Sequence, residues 1–189
     1  DISSVDIRSG ELIWQKPTLS DLIFDESIFL KTSDLIADKN SLYFSNNKNE
    51  FFSMDINNGS INWQQKINSN LRPTLIDKYI FTVSLEGFLI ILEKDSGKIL
   101  RITDLFKEYD KQYLWSADKK LRDIIVPVGF IVGKNNIYLT TNKGKLHIIS
   151  IKTGQTIRVL KIDRGKISRP FVANKNLFII KDNSIIKLN

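Results

Sequence analysis

The stretch Met54–Trp63, MDINNGSINW, decides the fold because the chain carries four versions of it. An apolar residue precedes Asp, Glu or Ser, a short polar turn ending in Gly follows, and Trp or Arg stands four residues after that Gly. The other versions are VDIRSGELIW at Val5–Trp14, LEKDSGKILR at Leu92–Arg101 and ISIKTGQTIR at Ile149–Arg158. A unit repeated in this way predicts a repeated architecture.

Each version lies in a longer unit of apolar runs and polar turns. Matches without gaps cover Leu42–Gly59, Ile80–Gly97 and Ile137–Gly154, and their apolar runs are rich in β-forming residues. A further apolar stretch precedes each unit, so we predict four antiparallel strands per unit, joined by hairpins. The turn Gly supplies a positive φ at little steric cost. The predicted fold class is therefore all-β, a β-propeller of four-stranded antiparallel blades.

The strand count predicts a single propeller domain over residues 1–189, a partial ring of about four blades. Approximate blade limits are 1–15, 34–67, 72–106, 128–162 and 166–189. The first blade begins at its third strand and the last lacks a fourth, so we expect the C-terminal half of a longer propeller, closed by an N-terminal strand. Open edges also predict an alternative, pairing with another propeller half or a second copy.

Composition narrows the class of protein. The chain is 42% apolar and 26% charged, which is typical of a soluble globular domain. No apolar run approaches the ~20 residues of a membrane-spanning helix, and any targeting segment is expected upstream of Asp1. The absence of Cys excludes disulfides and thiolate metal sites, and it fits an oxidising compartment. The net charge of +7 is scattered over every blade, so no nucleic-acid partner is predicted.

The pattern of Asp, turn Gly and then Trp resembles the PQQ-type β-propeller repeat. In that family the Trp packs between neighbouring blades, and its indole N–H bonds the backbone of the next blade. Trp14 and Trp63 match this role, whereas Arg101 and Arg158 replace the Trp, and an Arg there is expected to extend its charged head to the rim. The residues predicted to form the structural repeat are Asp6, Gly10, Trp14, Asp55, Gly59, Trp63, Glu93, Gly97 and Gly154.

Within that family, the chain resembles the propeller lipoproteins of the outer-membrane β-barrel assembly machinery. The likeness rests on Val5–Trp14, on TDLF at Thr103–Phe106, and on the tail Asp163–Asn189 with its Gly165 and Pro170. The resemblance implies an eight-bladed ring at the periplasmic face of the outer membrane of a Gram-negative cell. It also implies membrane association only through a lipid anchor upstream of this chain, and a protein partner, the barrel-forming subunit of the complex. The implied role is a non-catalytic scaffold without a cofactor.

The alternative is a domain of a PQQ-dependent quinoprotein dehydrogenase, because those enzymes share the repeat. Such an enzyme needs a PQQ pocket, a Ca²⁺ site of converging oxygens and a catalytic Asp. The acidic residues of the pattern, Asp6, Asp55 and Glu93, lie instead at hairpin turns, where accepting backbone N–H bonds is expected. The only His, His147, lies within a predicted strand and is expected to be a packed or rim residue. We therefore predict no catalytic, cofactor-binding or metal-binding residues.

Two connections between the repeats are unusually long, and insertions in repeat proteins often carry function. Lys16–Ser33 fits an additional pair of short strands. Lys107–Val128 surrounds aromatic side chains with charges, a combination that anchors protein interfaces. Two of its tyrosines are four residues apart, so a helical turn would place them on one face. The predicted partner-binding residues are Tyr109, Tyr113, Trp115 and Arg122; the alternative is that the aromatic side chains fold back onto the propeller's own rim.

Overall fold

The computed structural model describes residues 1–19, 29–109 and 124–188, together with the backbone of 113–114 and 117–120. Over these residues Lys107–Tyr109 forms a single 3-10 turn, Ile124 also has a 3-10 conformation, and the other regular elements are strands. The predicted all-β class is confirmed.

The strands follow one another along the chain with short turns. They are β1 (Ile2–Val5), β2 (Leu12–Lys16), β3 (Ile36–Ala37), β4 (Ser41–Asn46), β5 (Glu50–Asp55), β6 (Ile61–Gln65), β7 (Thr74–Ile76), β8 (Tyr79–Val83), β9 (Phe88–Glu93), β10 (Ile99–Asp104), β11 (Tyr113–Leu114), β12 (Ala117–Lys120), β13 (Pro127–Gly133), β14 (Asn136–Thr141), β15 (Lys145–Ser150), β16 (Thr156–Lys161), β17 (Phe171–Ala173), β18 (Asn176–Lys181) and β19 (Ser184–Leu188).

These strands form small meander sheets in which neighbours in sequence are neighbours in space. Sheet I contains β1–β2, and sheets II, III and IV contain four strands each, β3–β6, β7–β10 and β13–β16. Sheet V contains the three strands β17–β19, and the pair β11–β12 forms a separate two-stranded sheet, here named the insertion hairpin. The ladders of sheets II and IV are antiparallel throughout.

The sheets coincide closely with the predicted blade limits. Sheets II, III and V lie inside those limits, whereas β2 ends one residue later, at Lys16, and β13 begins one residue earlier, at Pro127. The chain divides into two compact units, residues 1–82 with 91–100 and residues 83–90 with 101–189. That all five sheets belong to one propeller ring stays a prediction.

Burial follows the same course in each four-stranded sheet. The second and third strands, such as β4 and β5, are buried over most of their length, and the fourth strands β6, β10 and β16 are largely exposed. Continuous apolar runs such as Leu89–Leu92 in β9 explain this course, because strands covered on both faces need apolar side chains on both. The middle of each sheet therefore forms core, and the fourth strand forms surface.

The core of each unit lies between neighbouring sheets. In the first unit, Ile2 and Trp14 of sheet I pack on sheet II at Phe44, Phe52 and Met54. In the second unit, a cluster joins sheet IV to sheet V through the buried residues Leu146, Ile167 and Ile179. Sheets I and II, and likewise sheets IV and V, therefore share apolar surface in the manner of adjacent propeller blades.

Candidate functional site: the repeat junctions and the insertion

The acidic residue of the repeat holds the turn that follows it. Asp6 Oδ1 accepts the backbone N–H groups of Arg8 (2.8 Å) and Ser9 (2.7 Å), and Asp55 Oδ1 accepts the equivalent pair in its own turn. These two bonds lower the pKa of the Asp6 carboxyl, and the bond from Ser9 has the larger effect. Each turn then closes on its Gly at a φ between +68° and +75°. The pattern carboxylates of these two turns are thus engaged by backbone, as expected for turn residues.

The two Trp residues of the repeat bond the following turn. Trp14 Nε1 donates to the carbonyl oxygen of Ile56 at 3.1 Å, and Trp63 Nε1 donates to that of Lys94 at 2.8 Å. In both cases the acceptor comes one residue after the acidic residue of the next repeat. Each indole thereby satisfies its buried donor while its ring packs on the neighbouring turn.

The turn Gly leaves the space that the indole fills. A Cβ at Gly59 would lie 2.7 Å from Cε3 of Trp14, and one at Gly97 would lie 2.5 Å from Cδ2 of Trp63. Glycine is therefore required twice at these positions, for its positive φ and for the absence of a side chain. By contrast, a Cβ at Gly10 would meet no described atom within 4 Å.

Arg101 occupies the Trp position in the third repeat and bonds the next turn as a Trp does. Its guanidinium donates to the carbonyl oxygens of Ile151 and Lys152, the latter at 2.8 Å. The space beside the turn Gly is filled by Thr103, because a Cβ at Gly154 would lie 2.5 Å from Thr103 Oγ1. The carbonyl oxygens of this turn attract the donors of Arg101, and the extension of the Arg head to the rim stays a prediction. Arg158 is exposed.

The root of the long insertion is fixed in the core of the second unit. Tyr109 is 6% exposed, and its ring meets those of Phe106 and His147 edge to face, with centroids 6.1 and 6.0 Å away. Lys145 Nζ lies 4.6 Å from the Tyr109 ring centroid and donates to its hydroxyl oxygen at 3.4 Å. We name Phe106, Tyr109 and His147 the aromatic anchor.

This packing corrects one expectation about the insertion. The prediction of Tyr109 as a surface residue for a partner is wrong, because its ring is buried in the aromatic anchor. Residues 110–112 lie outside the described residues, so a helical turn from Tyr109 to Tyr113 stays a prediction. For Tyr109, the alternative of an aromatic side chain folded back onto the protein describes the structure.

His147 is a packing residue, as expected. It is 1% exposed, and within the part of the chain that the structure describes neither ring nitrogen has a hydrogen-bond partner. Burial, followed by the charge of Lys145, lowers the pKa of His147 to about 4. The imidazole is therefore neutral near pH 7 and serves as a third ring of the aromatic anchor.

Beyond the anchor the insertion forms a hairpin. Tyr113 pairs with Lys120 and Leu114 with Ala117, with a register irregularity between the two pairs. Trp115 and Arg122 lie outside the described residues, and Tyr113 is described through its backbone alone. Partner binding by Tyr113, Trp115 and Arg122 therefore stays a prediction.

The other long connection is held by a residue that the sequence analysis did not single out. The buried Asn46 side chain donates to the carbonyl oxygen of Thr18 and to Glu50 Oε2, both at 2.8 Å, and it accepts two backbone N–H groups of its own hairpin. Thr32, which lies in the same long connection, pairs with Asn46 through an isolated β-bridge. Residues 20–28 lie outside the described part, so the predicted extra strands stay a prediction there. An Asn at the end of a strand is too common to indicate this role.

The described residues contain neither a candidate metal site nor a candidate membrane-spanning helix. Within the described ranges, no three His, Asp or Glu side chains come together in a group that could hold a metal ion. Over the same residues, no helix is long and apolar enough to cross a membrane.

Meander sheets of four strands, linked by repeated turns, define this chain as a β-propeller protein. The fold is similar to the β-propeller domain of Cps50 (Swd1) from Myceliophteria thermophila, with a TM-score of 0.55 at 14% identity over 78% of this chain and 50% of that one. Residues 1–103 match the family model of the outer membrane protein assembly factor BamB, and the chain belongs to this family.

Two members of the family are similar over nearly all of this chain. BamB of Legionella pneumophila is 22% identical over 191 residues, which cover 98% of this chain and 44% of that protein. The crystal structure of BamB from Moraxella catarrhalis has a TM-score of 0.56 at 18% identity, covering 97% of this chain and 62% of that one. The chain thus spans less than half the length of the Legionella protein.

Proposed function

We propose that this chain is part of a non-catalytic propeller scaffold that assists the assembly of β-barrel proteins into the outer membrane. It works at the periplasmic face, holds the barrel-forming subunit of the complex, and attaches to the membrane through a lipid anchor upstream of this chain. The observation that carries the proposal is the match of residues 1–103 to the family of an outer membrane protein assembly factor.

The insertion hairpin is the proposed docking element. Its root is fixed by the buried Tyr109, which lies four residues before β11 begins. The hairpin itself has two short strands that pair with each other. A two-stranded sheet is marginally stable alone, and exposed strand edges commonly accept a strand from a partner. Tyr113, Trp115 and Arg122 are the side chains proposed to give this contact its specificity.

A pull-down with the periplasmic domains of the barrel-forming subunit tests the proposal. The full-length protein should be retained, and the double variant Tyr113→Ala, Trp115→Ala should be retained several-fold less. Phe29→Ala is the matched control, because this aromatic side chain is 75% exposed on the other long connection. Equal retention of the double variant would remove the hairpin from the proposal, and no retention of the unaltered protein would contradict the proposed function itself.

If the chain were a domain of a PQQ-dependent dehydrogenase, the same purified protein should bind PQQ. Titration with PQQ in the presence of Ca²⁺ should then give saturable binding with a shifted quinone absorbance. A scaffold gives no saturable signal, and a saturable one would establish the alternative.

A further inference from the structure

Positive charge is concentrated in the last two sheets. Residues 127–188 contain 12 basic and 2 acidic residues, a net charge of +10, whereas residues 1–126 contain 16 basic and 19 acidic residues, a net charge of −3. A composition bias toward Lys acts on both parts alike and does not produce this difference. Lys and Arg occur in every predicted blade, but the acidic residues lie almost entirely in residues 1–126, and this asymmetry indicates a binding role for the basic part.

Several of these charges meet at one end of sheets IV and V. The backbone N–H groups of Ile162 and Asp163 both donate to the carbonyl oxygen of Gly144, at 2.8 and 3.1 Å. These bonds bring the connection after β16 onto the β14–β15 turn. Directly beside that turn, Lys145 and Lys161 are cross-strand partners. We name this surface the basic end; it consists of Lys143, Lys145, Lys161, Arg164 and Lys166.

Within the described ranges, the positive charge of the basic end is not paired with carboxylates, and Lys145 contacts the ring and hydroxyl of Tyr109. The one acidic side chain at its centre, Asp163, is engaged by Lys181 Nζ at 2.9 Å from its Oδ2. Among the described residues, the five basic side chains have no ion-pair partner, and Lys161, Arg164 and Lys166 are exposed. Like charges directly opposite each other in a ladder destabilise a sheet, and Lys145 and Lys161 are such a pair. The charges of Lys145 and Lys161 therefore do not stabilise the ladder between β15 and β16.

We propose that the basic end binds anionic lipid headgroups at a membrane surface. Protein interfaces are enriched in aromatic residues and Arg and depleted in Lys, whereas the basic end has four Lys and one Arg. Single-stranded nucleic acids are bound by aromatic side chains on which bases stack, and none of the five residues is aromatic. A lipid headgroup layer requires only accessible positive charge on flexible stems, and each such residue raises affinity by about fivefold. The contact is separate from the proposed binding of the barrel-forming subunit.

Cosedimentation of the purified protein with lipid vesicles tests this inference. The protein should sediment with vesicles of phosphatidylcholine mixed with phosphatidylglycerol and stay in solution with phosphatidylcholine alone. Binding should be lost at about 0.5 M NaCl, where screening acts over a few ångströms. Equal sedimentation with both vesicle types, or no sedimentation with either, would overturn the proposal.

A pair of charge-reversal variants locates the contact. The triple variant Lys161→Glu, Arg164→Glu, Lys166→Glu should bind anionic vesicles at least about tenfold more weakly. Its control, Lys39→Glu, Lys66→Glu, Lys98→Glu, changes the net charge equally at exposed positions of the first unit and should keep full binding. Cooperative thermal unfolding should show that both variants are folded, and Lys161→Glu creates an opposite-charge pair with Lys145.

Two results would contradict the assignment. Equal loss in the control variant would mean that net charge alone causes the attraction. Binding to polyglutamate or to RNA, without sedimentation with anionic vesicles, would assign the basic end to an acidic protein or a nucleic acid and overturn the lipid proposal.

Discussion

The Trp63 indole donates its N–H to the carbonyl oxygen of Lys94 at 2.8 Å, across the junction between sheets II and III. The same ring stacks on Phe51 at 5.8 Å between centroids, and it covers the turn Gly97. One side chain thus links the core of its own sheet to the backbone of the next. At this junction two positions of the sequence repeat, the Trp and the turn Gly, form a contact between neighbouring sheets.

Replacing Gly97 tests the junction directly. Gly97→Ala combines a positive φ of +68° with a clash against the Trp63 ring, and we expect a loss of about 3 kcal/mol in the free energy of unfolding. Gly10→Ala is the control, because its φ is +74° but no described atom lies within 4 Å of the added Cβ. It should cost about 1 kcal/mol, from the backbone alone. Urea unfolding measures the loss in unfolding free energy for both variants. Equal losses would mean that the clash with the Trp63 indole adds nothing to the cost of the substitution.

Removing the Arg101 guanidinium should destabilise the junction that it forms. Arg101→Ala leaves the carbonyl oxygens of Ile151 and Lys152 without this donor, and we expect a loss of about 1–3 kcal/mol. Arg158→Ala removes the exposed Arg at the equivalent position and should change stability by less than about 0.5 kcal/mol. Thermal denaturation compares the two. Similar small effects would show that the Arg101 bonds are compensated by water.

The buried His147 makes stability depend on pH in a defined window. Its pKa is about 4 in the folded protein, against 6.5 ordinarily, so the unfolded chain binds more protons between these values. Stability is therefore full above about pH 6.5 and falls as the pH decreases toward 4, by about 2–3 kcal/mol from this residue. His147→Phe should remove that component. Unfolding free energies across the window test it, and parallel pH profiles of the two proteins would contradict it.

Asp38 gives an independent pH dependence in the first unit. Burial raises the pKa of Asp38, but hydrogen bonds from Lys94 and from the backbone of Asn40 and Ser41 outweigh it and bring it to about 2. Because the folded pKa is lowered, the stabilisation is present above about pH 4 and is lost as the pH falls toward 2. Asp38→Asn should cost about 1–2 kcal/mol at pH 7 and little at pH 2, measured by urea unfolding. A cost that is the same at both values would assign the effect to the lost hydrogen bonds.

Pairing with another propeller half or a second copy predicts a particle larger than a monomer. Ile180 and Ile185 are cross-strand partners, 43% and 68% exposed, on the face of sheet V opposite its buried Ile179. Light scattering should show the larger mass, and the double variant Ile180→Lys, Ile185→Lys should return the monomer. Ile61→Lys, at a residue 52% exposed in sheet II, is the control. A monomer at all concentrations would contradict self-pairing.

The elements that could be predicted from the sequence are those whose signals are local. Turn Gly residues and β-forming runs recur at matching spacing, so the four-stranded sheets were foreseeable nearly to the residue. The Trp14 and Trp63 roles followed from the resemblance to the PQQ-type repeat, in which the Trp bonds the backbone of the next blade.

The residues that could not be predicted depend on distant contacts. Tyr109 is buried by His147, which lies far along the chain, and no repeat aligns the insertion with a known environment. Arg101 bonds carbonyl oxygens 50 and 51 residues away, and the replacement of Trp by Arg gave no indication that the contact with the next turn would be kept. The basic end was hidden for another reason, since a net charge averaged over the whole chain conceals a difference between its parts.

The turn at Gly10 has the same closing bond and positive φ as the turns at Gly59 and Gly97, yet among the described residues no side chain covers it. Each junction therefore has a direction, with a donor side chain on one repeat and an acceptor turn on the next. Repeats joined in this way can follow one another in series, because each such repeat carries both a donor side chain and an acceptor turn. The contact itself therefore does not limit the number of repeats that can follow one another along a chain.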